Sequence, residues 1–196
     1  MWYIEGAARK ILVDTGAGDP ATAEPRVMPY KRDKDQTVER ALQKIGVECN
    51  DIDLVILTHM HWDHVRGLGS FPGAKIIVQE EELRNTKPLP TFPVEPKYEV
   101  ISGDKEIVKG ITAVSTPGHT HGMQGVLVET GTRRIFIASD TIPVHHNIDQ
   151  DPWQISPIVR GDKDKYLASL EKIRKLSAAL VLPGHEFKVF ERITYE

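Results

Sequence analysis

A chain of 196 residues is long enough for one domain with a sizeable core, and its 40% apolar and 27% charged residues are those of an ordinary soluble protein. A net charge of −3 offers no basic surface for nucleic acid or membrane, which leaves a small molecule as the expected partner. The one cysteine, Cys49, excludes an intrachain disulfide and fits a reducing compartment. No run reaches the roughly 20 apolar residues of a membrane span, and residues 1–10 lack the apolar segment of a secretory signal, so the chain reads as cytoplasmic.

Residues 2–5 and 10–13 read as strands joined by a turn at Gly6-Ala7-Ala8. Residues 17–34 hold three prolines and mixed charges and read as a loop. From 35 to 45, Val38, Ala41, Leu42 and Ile45 recur at helical spacing, with Asp35 as N-cap and Gly46 as stop. Residues 54–57 and 75–78 are short continuous apolar runs, the pattern of strands buried on both faces. A short helix at 80–84 follows, and then four prolines between 88 and 96 forbid regular structure. Strands are predicted at 106–108, 111–115, 124–129 and 134–138. A helix over 162–176 puts Tyr166, Leu167, Leu170, Ile173 and Leu176 on one face, and strand 179–182 completes the order. The abrupt start in a strand leaves a sheet edge that a homodimer would cover. One echo recurs: Asp14 to His59 and Asp140 to His185 are both 45 residues apart, each joining the end of one apolar run to a histidine after another. It suggests two half-domains on one plan.

The segment Thr58-His59-Met60-His61-Trp62-Asp63-His64 places three imidazoles and a carboxylate in six residues, directly after a predicted buried strand. These are the donors a borderline divalent metal accepts. In extended chain His59, His61 and Asp63 share one side, while His64 starts the turn away. Four donors so close suit two ions better than one. His119 in Thr116-Pro117-Gly118-His119, Asp140 after Ile135-Phe136-Ile137-Ala138, and His185 in Leu182-Pro183-Gly184-His185 each follow a predicted strand. Singly they read as a turn histidine, a capping aspartate and a surface histidine; beside the first motif they supply the remaining donors. Asp14 reads equally as a turn residue before Thr15-Gly16 and as a hydrogen-bond partner for a ligand histidine.

The H-x-H-x-D-H motif, with His, Asp and His at later strand ends, resembles the metallo-β-lactamase superfamily, from Ile11-Leu12-Val13-Asp14-Thr15-Gly16 to Pro183-Gly184-His185. The resemblance implies one α/β domain over 1–196, a four-layer αββα sandwich lacking part of the usual N-terminal region, with the site at one edge of two sheets. It also implies two divalent ions, zinc foremost, with manganese, iron or cobalt also suited to these donors. His59, His61 and His119 would hold one, Asp63, His64 and His185 the other, and Asp140 would bridge them. A carboxylate rather than a cysteine at 140 resembles the lactonases, glyoxalase II-type thioesterases and phosphodiesterases of the superfamily. Ile77-Val78-Gln79 and Ile101-Ser102-Gly103-Asp104 resemble the N-acyl homoserine lactonase-like group most. That implies a metal-dependent hydrolase in which metal-bound hydroxide attacks a lactone or small-ester carbonyl, with Asp63 or Asp140 taking the proton.

Three alternatives share the ligands. A glyoxalase II-like thioesterase carries a helical C-terminal domain, where here 11 residues follow His185. A phosphodiesterase would want a basic stripe for phosphates. A metal-binding relative without catalysis is the third. The chain departs from the lactonase-like group at Pro143, where that group carries a tyrosine. His145 and His146 read either as its replacement or as surface-loop histidines.

Overall fold

Short apolar runs become strands, and among the described residues the strands sort into two five-stranded sheets. The structure is a computed structural model and describes residues 1–20, 30–86, 95–156 and 161–196. Parts of the two predicted loops therefore lie outside the described residues: 21–29 of the first and 88–94 of the proline-rich one. The chain divides into two compact units, Met1–Val78 with Thr86–Val100, and Gln79–Asn85 with Ile101–Glu196.

The first unit is built on β1 (Trp2–Ile4), β2 (Ile11–Val13), β3 (Leu54–Ile56), β4 (Lys75–Gln79) and β5 (Lys97–Ile101), adjacent in that order. β1 runs antiparallel to β2, and β2, β3 and β4 are parallel. Every residue of β2 and β3 is buried, as their unbroken apolar runs require. Leu12, Val55 and Leu57 pack with Val38 and Leu42 of helix α1 (Val38–Gln43) and with Phe71.

That helix is shorter than the predicted 35–45. Thr37, not Asp35, is its N-cap, its hydroxyl accepting from the Arg40 N–H at 3.2 Å. The Asp35 carboxylate pairs instead with the Lys44 ammonium at 2.9 Å. The helix ends before Ile45 can join its buried face, leaving that side chain 50% exposed. β5 was not predicted, and a helical turn, α2 (Trp62–Val65), stands where extended chain was expected.

The second unit carries a meander of β6 (Lys105–Val108), β7 (Ile111–Ser115), β8 (Gln124–Glu129) and β9 (Arg134–Ser139), to which β10 (Leu180–Pro183) adds in parallel beside β9. The helix α3 (Glu80–Asn85) belongs to this unit, though it follows β4 directly. The return from β9 to β10 passes through α4 (Lys163–Lys175), whose cap Asp162 accepts from the N–H groups of Asp164 and Lys165, both at 3.1 Å. Tyr166, Leu170 and Ile173 pack on Val114, Leu127, Phe136 and Ala138. Leu167 was expected on that face but is 49% exposed, because it falls at the margin of a stripe that Tyr166 and Leu170 already fill. Among the described residues, no helix is long and apolar enough to cross a membrane.

The 45-residue echo has a structural cause. β2 and β3 are parallel neighbours in register Ile11↔Leu54 to Val13↔Ile56, and β9 and β10 are parallel neighbours from Ile135↔Leu180 to Ile137↔Leu182. In each pair the strands end side by side. The chain then turns through a left-handed residue, Asp14 at φ 58° in one case and Ser139 at φ 47° in the other. Equal spacing thus puts Asp14 beside the exit of β3, and Asp140 beside the exit of β10.

Candidate metal centre

In the first unit, the chain leaves β3 through Leu57 and Thr58 into the histidine motif. His61 keeps extended backbone (φ −67°, ψ 151°) and caps α2, so Asp63 and His64 sit on a helical turn rather than in extended chain. This corrects the expectation that Asp63 continues the side set by His59 and His61. The turn brings His64 back over His59, their ring centroids 4.2 Å apart, while the His59 and His61 rings meet edge to face at 4.6 Å. The Asp63 carboxylate stands 3.6 Å from His64 Nε2. His59 and His64 are buried, whereas His61 is exposed.

Asp14 decides how these rings are presented. Its Oδ1 accepts from the Thr58 N–H and its Oδ2 from the Thr58 hydroxyl, and Oδ2 also meets His64 Nδ1, all at 2.8 Å. A carboxylate only accepts, so His64 Nδ1–H donates to it, and Nε2 is the nitrogen that can offer a lone pair. Thr58 passes the same logic to His59. Its hydroxyl proton is given to Asp14, so Oγ1 accepts from His59 Nδ1 at 3.1 Å. One buried aspartate thereby sets the tautomers of two imidazoles. Of the two readings of Asp14, the structure supports both at once: it turns the chain and holds a histidine of the motif. Thr58 had no predicted role.

In the second unit, three strand exits carry the candidate donors. His119 lies in the loop between β7 and β8, Asp140 follows β9, and His185 follows β10. Asp140 Oδ2 lies 3.4 Å from His119 Nε2 and 3.3 Å from His185 Nε2, which also stands 3.1 Å from Oδ1. Asp140 is buried, at 5% exposure. Its approach to the β10 exit needs Gly184, where a Cβ would stand 2.8 Å from Asp140 Oδ1. His185 is anchored by its own N–H, which donates to the Pro143 carbonyl at 2.8 Å. His145 pairs with Glu186 through Nδ1 at 3.1 Å, and its backbone N–H donates to the same carboxylate at 3.0 Å. Hydrogen bonds from the backbone N–H groups of His145 and Lys188 hold the Glu186 carboxyl below the usual range. His146 meets Gln150 instead, at 3.2 Å.

The turn carrying Asp140 is tied to the His119 loop by the Thr116 and Thr141 hydroxyls, 2.9 Å apart, and to α4 by the Tyr166 hydroxyl, which donates to the Thr141 carbonyl. Burial, with the Asp140 charge adding to it, pushes the Tyr166 hydroxyl well above the usual tyrosine range. Tyr166→Phe should cost about 1–2 kcal/mol in urea unfolding, since a buried carbonyl loses its donor. Above about pH 10 the unfolded chain ionises this tyrosine while the fold keeps its proton. Its stabilising share is therefore complete below about pH 10 and falls as pH rises, by about 1.4 kcal/mol per pH unit. The Phe variant should show a flatter alkaline limb, and an unchanged slope would contradict the account.

All seven predicted donors belong to groups able to hold a metal ion. Imidazoles in ring contact, with carboxylates at their Nε2 atoms, are a donor set that suits a divalent metal of the zinc type. The model of the metallo-β-lactamase superfamily matches residues 1–185. The chain belongs to that superfamily and is a metal-dependent hydrolase, its mixed α/β structure and two sheets matching the fold. It is similar to an N-acyl homoserine lactonase of Bacillus sp, 28% identical over 95% of this chain and 80% of that one. It is 26% identical, with the same coverage, to the N-acyl homoserine lactonase AiiA of Bacillus thuringiensis subsp. kurstaki. A solved N-acyl homoserine lactone hydrolase, with the product N-hexanoyl-L-homoserine at its catalytic metal centre, superposes with a TM-score of 0.78 at 25% identity. It covers 96% of this chain and 81% of that one.

Proposed function

We propose that this chain hydrolyses a lactone, an acyl homoserine lactone foremost, or a small ester, at a centre of two divalent ions. The observation that carries the reading is Asp140, a buried carboxylate standing between the Nε2 atoms of His119 and His185. Similarity to named N-acyl homoserine lactonases over most of the chain supports the substrate class. In this reading His59, His61, His119 and Asp140 serve one ion, and Asp63, His64 and His185 serve the other, with Asp140 shared. Zinc is the ion of first choice for these donors, and the single cysteine fits the cytoplasm.

When bound, the two ions supply Lewis acidity to the substrate carbonyl and lower the pKa of the attacking water. The chain's own residues do the rest. Asp14 and Thr58 fix His59 and His64 in the tautomers that offer the Nε2 lone pair to an ion. Asp63, one-quarter exposed, is placed to take the proton from water and return it to the ring oxygen as the carbon–oxygen bond breaks. Asp140, more deeply buried, holds its two histidines. The product is a hydroxy acid, which releases a proton near neutral pH.

Proton release by the zinc-loaded protein on an acyl homoserine lactone tests the reading, with a glutathione thioester alongside. Turnover of the lactone that stops with chelator and returns with zinc is the expected result. Turnover of the thioester alone, or lactone opening indifferent to chelator, would overturn it.

A further inference from the structure

We infer that Glu82 is a positioning residue for His119, an inference that rests on the reading of His119 as a metal donor. Residues 80–82 are three successive glutamates at the start of α3, and they are used differently. Glu80 and Glu81 pair at the surface with Arg84, at 2.7 and 2.8 Å. Glu82 turns inward and is 2% exposed. Its Oε2 accepts from the Thr120 hydroxyl at 2.7 Å and from the Gly122 N–H at 3.0 Å. Both donors lie on the far limb of the loop that carries His119.

The near limb is held from elsewhere. Ser169 of α4 donates to the Pro117 carbonyl at 2.7 Å, and the Gly118 N–H donates to the Thr120 carbonyl at 2.9 Å. His119 thus stands between one tie from α4 and one from α3. The α3 tie is built closely. A Cβ at residue 122 would lie 2.1 Å from the Glu82 backbone nitrogen, so only glycine lets the loop reach the carboxylate. Gln79, at the entry to α3, fixes the segment further. Its amide donates to Gln124 Oε1 and the Gly103 carbonyl, both at 2.8 Å, and accepts from the Gly103 N–H at 3.0 Å.

A carboxylate is an expensive group to bury for tying a loop, since a neutral acceptor would serve. What it adds is two charge-assisted bonds on one oxygen, which hold the far limb more rigidly than neutral bonds would. A donor imidazole held in place loses less freedom when an ion binds, and residues that orient ligands in this way typically change metal affinity by about tenfold to a hundredfold. Glu82 therefore acts on the ion that His119 serves and leaves the ion served by Asp63, His64 and His185 largely alone.

The test is titration of the metal-free full chain with cobalt(II) against a chromophoric chelator, which resolves two dissociation constants and the visible absorption of each ion. Wild type, Glu82→Gln, Glu82→Ala and Thr120→Val are compared, together with their thermal unfolding without metal. In Glu82→Ala and Thr120→Val one constant should weaken by about tenfold or more, with an altered cobalt spectrum, while the other changes little. Glu82→Gln, which keeps an acceptor, should recover most of the affinity. Thr120→Val removes a single hydroxyl and carries the test if Glu82→Ala does not fold. Unchanged constants, or equal weakening of both in step with a lower melting temperature, would overturn the inference. A wild-type chain that binds fewer than two ions would be a separate result, removing the metal reading and this inference with it.

Discussion

Asp140→Ala should slow lactone hydrolysis by on the order of a thousandfold and leave fewer than two metal ions on the chain. The magnitude follows from what one carboxylate does. It stands between His119 and His185, 3.4 Å from one Nε2 and 3.1 Å from the other, so its loss removes a donor from both proposed ions at once. Lewis-acid stabilisation of the transition state contributes several kcal/mol, and each 1.4 kcal/mol is a factor of ten in rate. Alanine is smaller than aspartate and introduces no clash, so the fold should survive. Metal per chain and kcat/KM are measured together. A variant that keeps both ions and loses less than tenfold in rate would remove Asp140 from the centre of the mechanism.

The candidate donors were legible in the sequence because histidines are few and the setting of each repeats. His59, Asp140 and His185 each follow a run that is apolar without alternation, and such runs become strands, whereas His119 follows Ile111–Ser115, where Thr112 and Ser115 break the apolar residues. The echo of 45 residues was legible for the same reason: parallel neighbours of similar length end together. What was not legible depended on contacts across distant segments. The four residues Trp62–Val65 are too few to show a helical period, so the turn that lifts His64 over His59 had no signature. Lys97–Ile101 mixes charge with half-buried residues at the close of a proline-rich stretch, and its strand shows only in its pairing within the sheet. Periodicity named a face for each helix but neither its width nor its end, which is why Leu167 and Ile45 proved exposed. Glu82 was hidden among three glutamates on one short helix, since nothing local distinguishes the inward one. Thr58 stood inside the most conspicuous motif of the chain, yet its role came from Asp14, 44 residues earlier.

Asp14 should separate folding from metal binding. Asp14→Ala removes the acceptor of a buried N–H, a hydroxyl and an imidazole, and forces alanine to φ 58°. An unsatisfied buried donor costs about 1–3 kcal/mol and the left-handed backbone about 1–2 kcal/mol, so urea unfolding of the metal-free chain should show a loss of about 3–4 kcal/mol. Asp14→Asn is different. Asparagine tolerates the left-handed conformation, and its carbonyl can still accept from the Thr58 N–H, so stability should fall by about 1 kcal/mol. Its amide nitrogen, however, is a donor facing His64 Nδ1 and the Thr58 hydroxyl. His64 then accepts at Nδ1 and carries its proton on Nε2, the nitrogen meant for the ion, and Thr58 no longer fixes His59. Metal affinity should drop by about tenfold to a hundredfold in a chain that folds nearly as well as wild type. Wild-type affinity in Asp14→Asn would show that the tautomers are set elsewhere, and that Asp14 serves the turn alone.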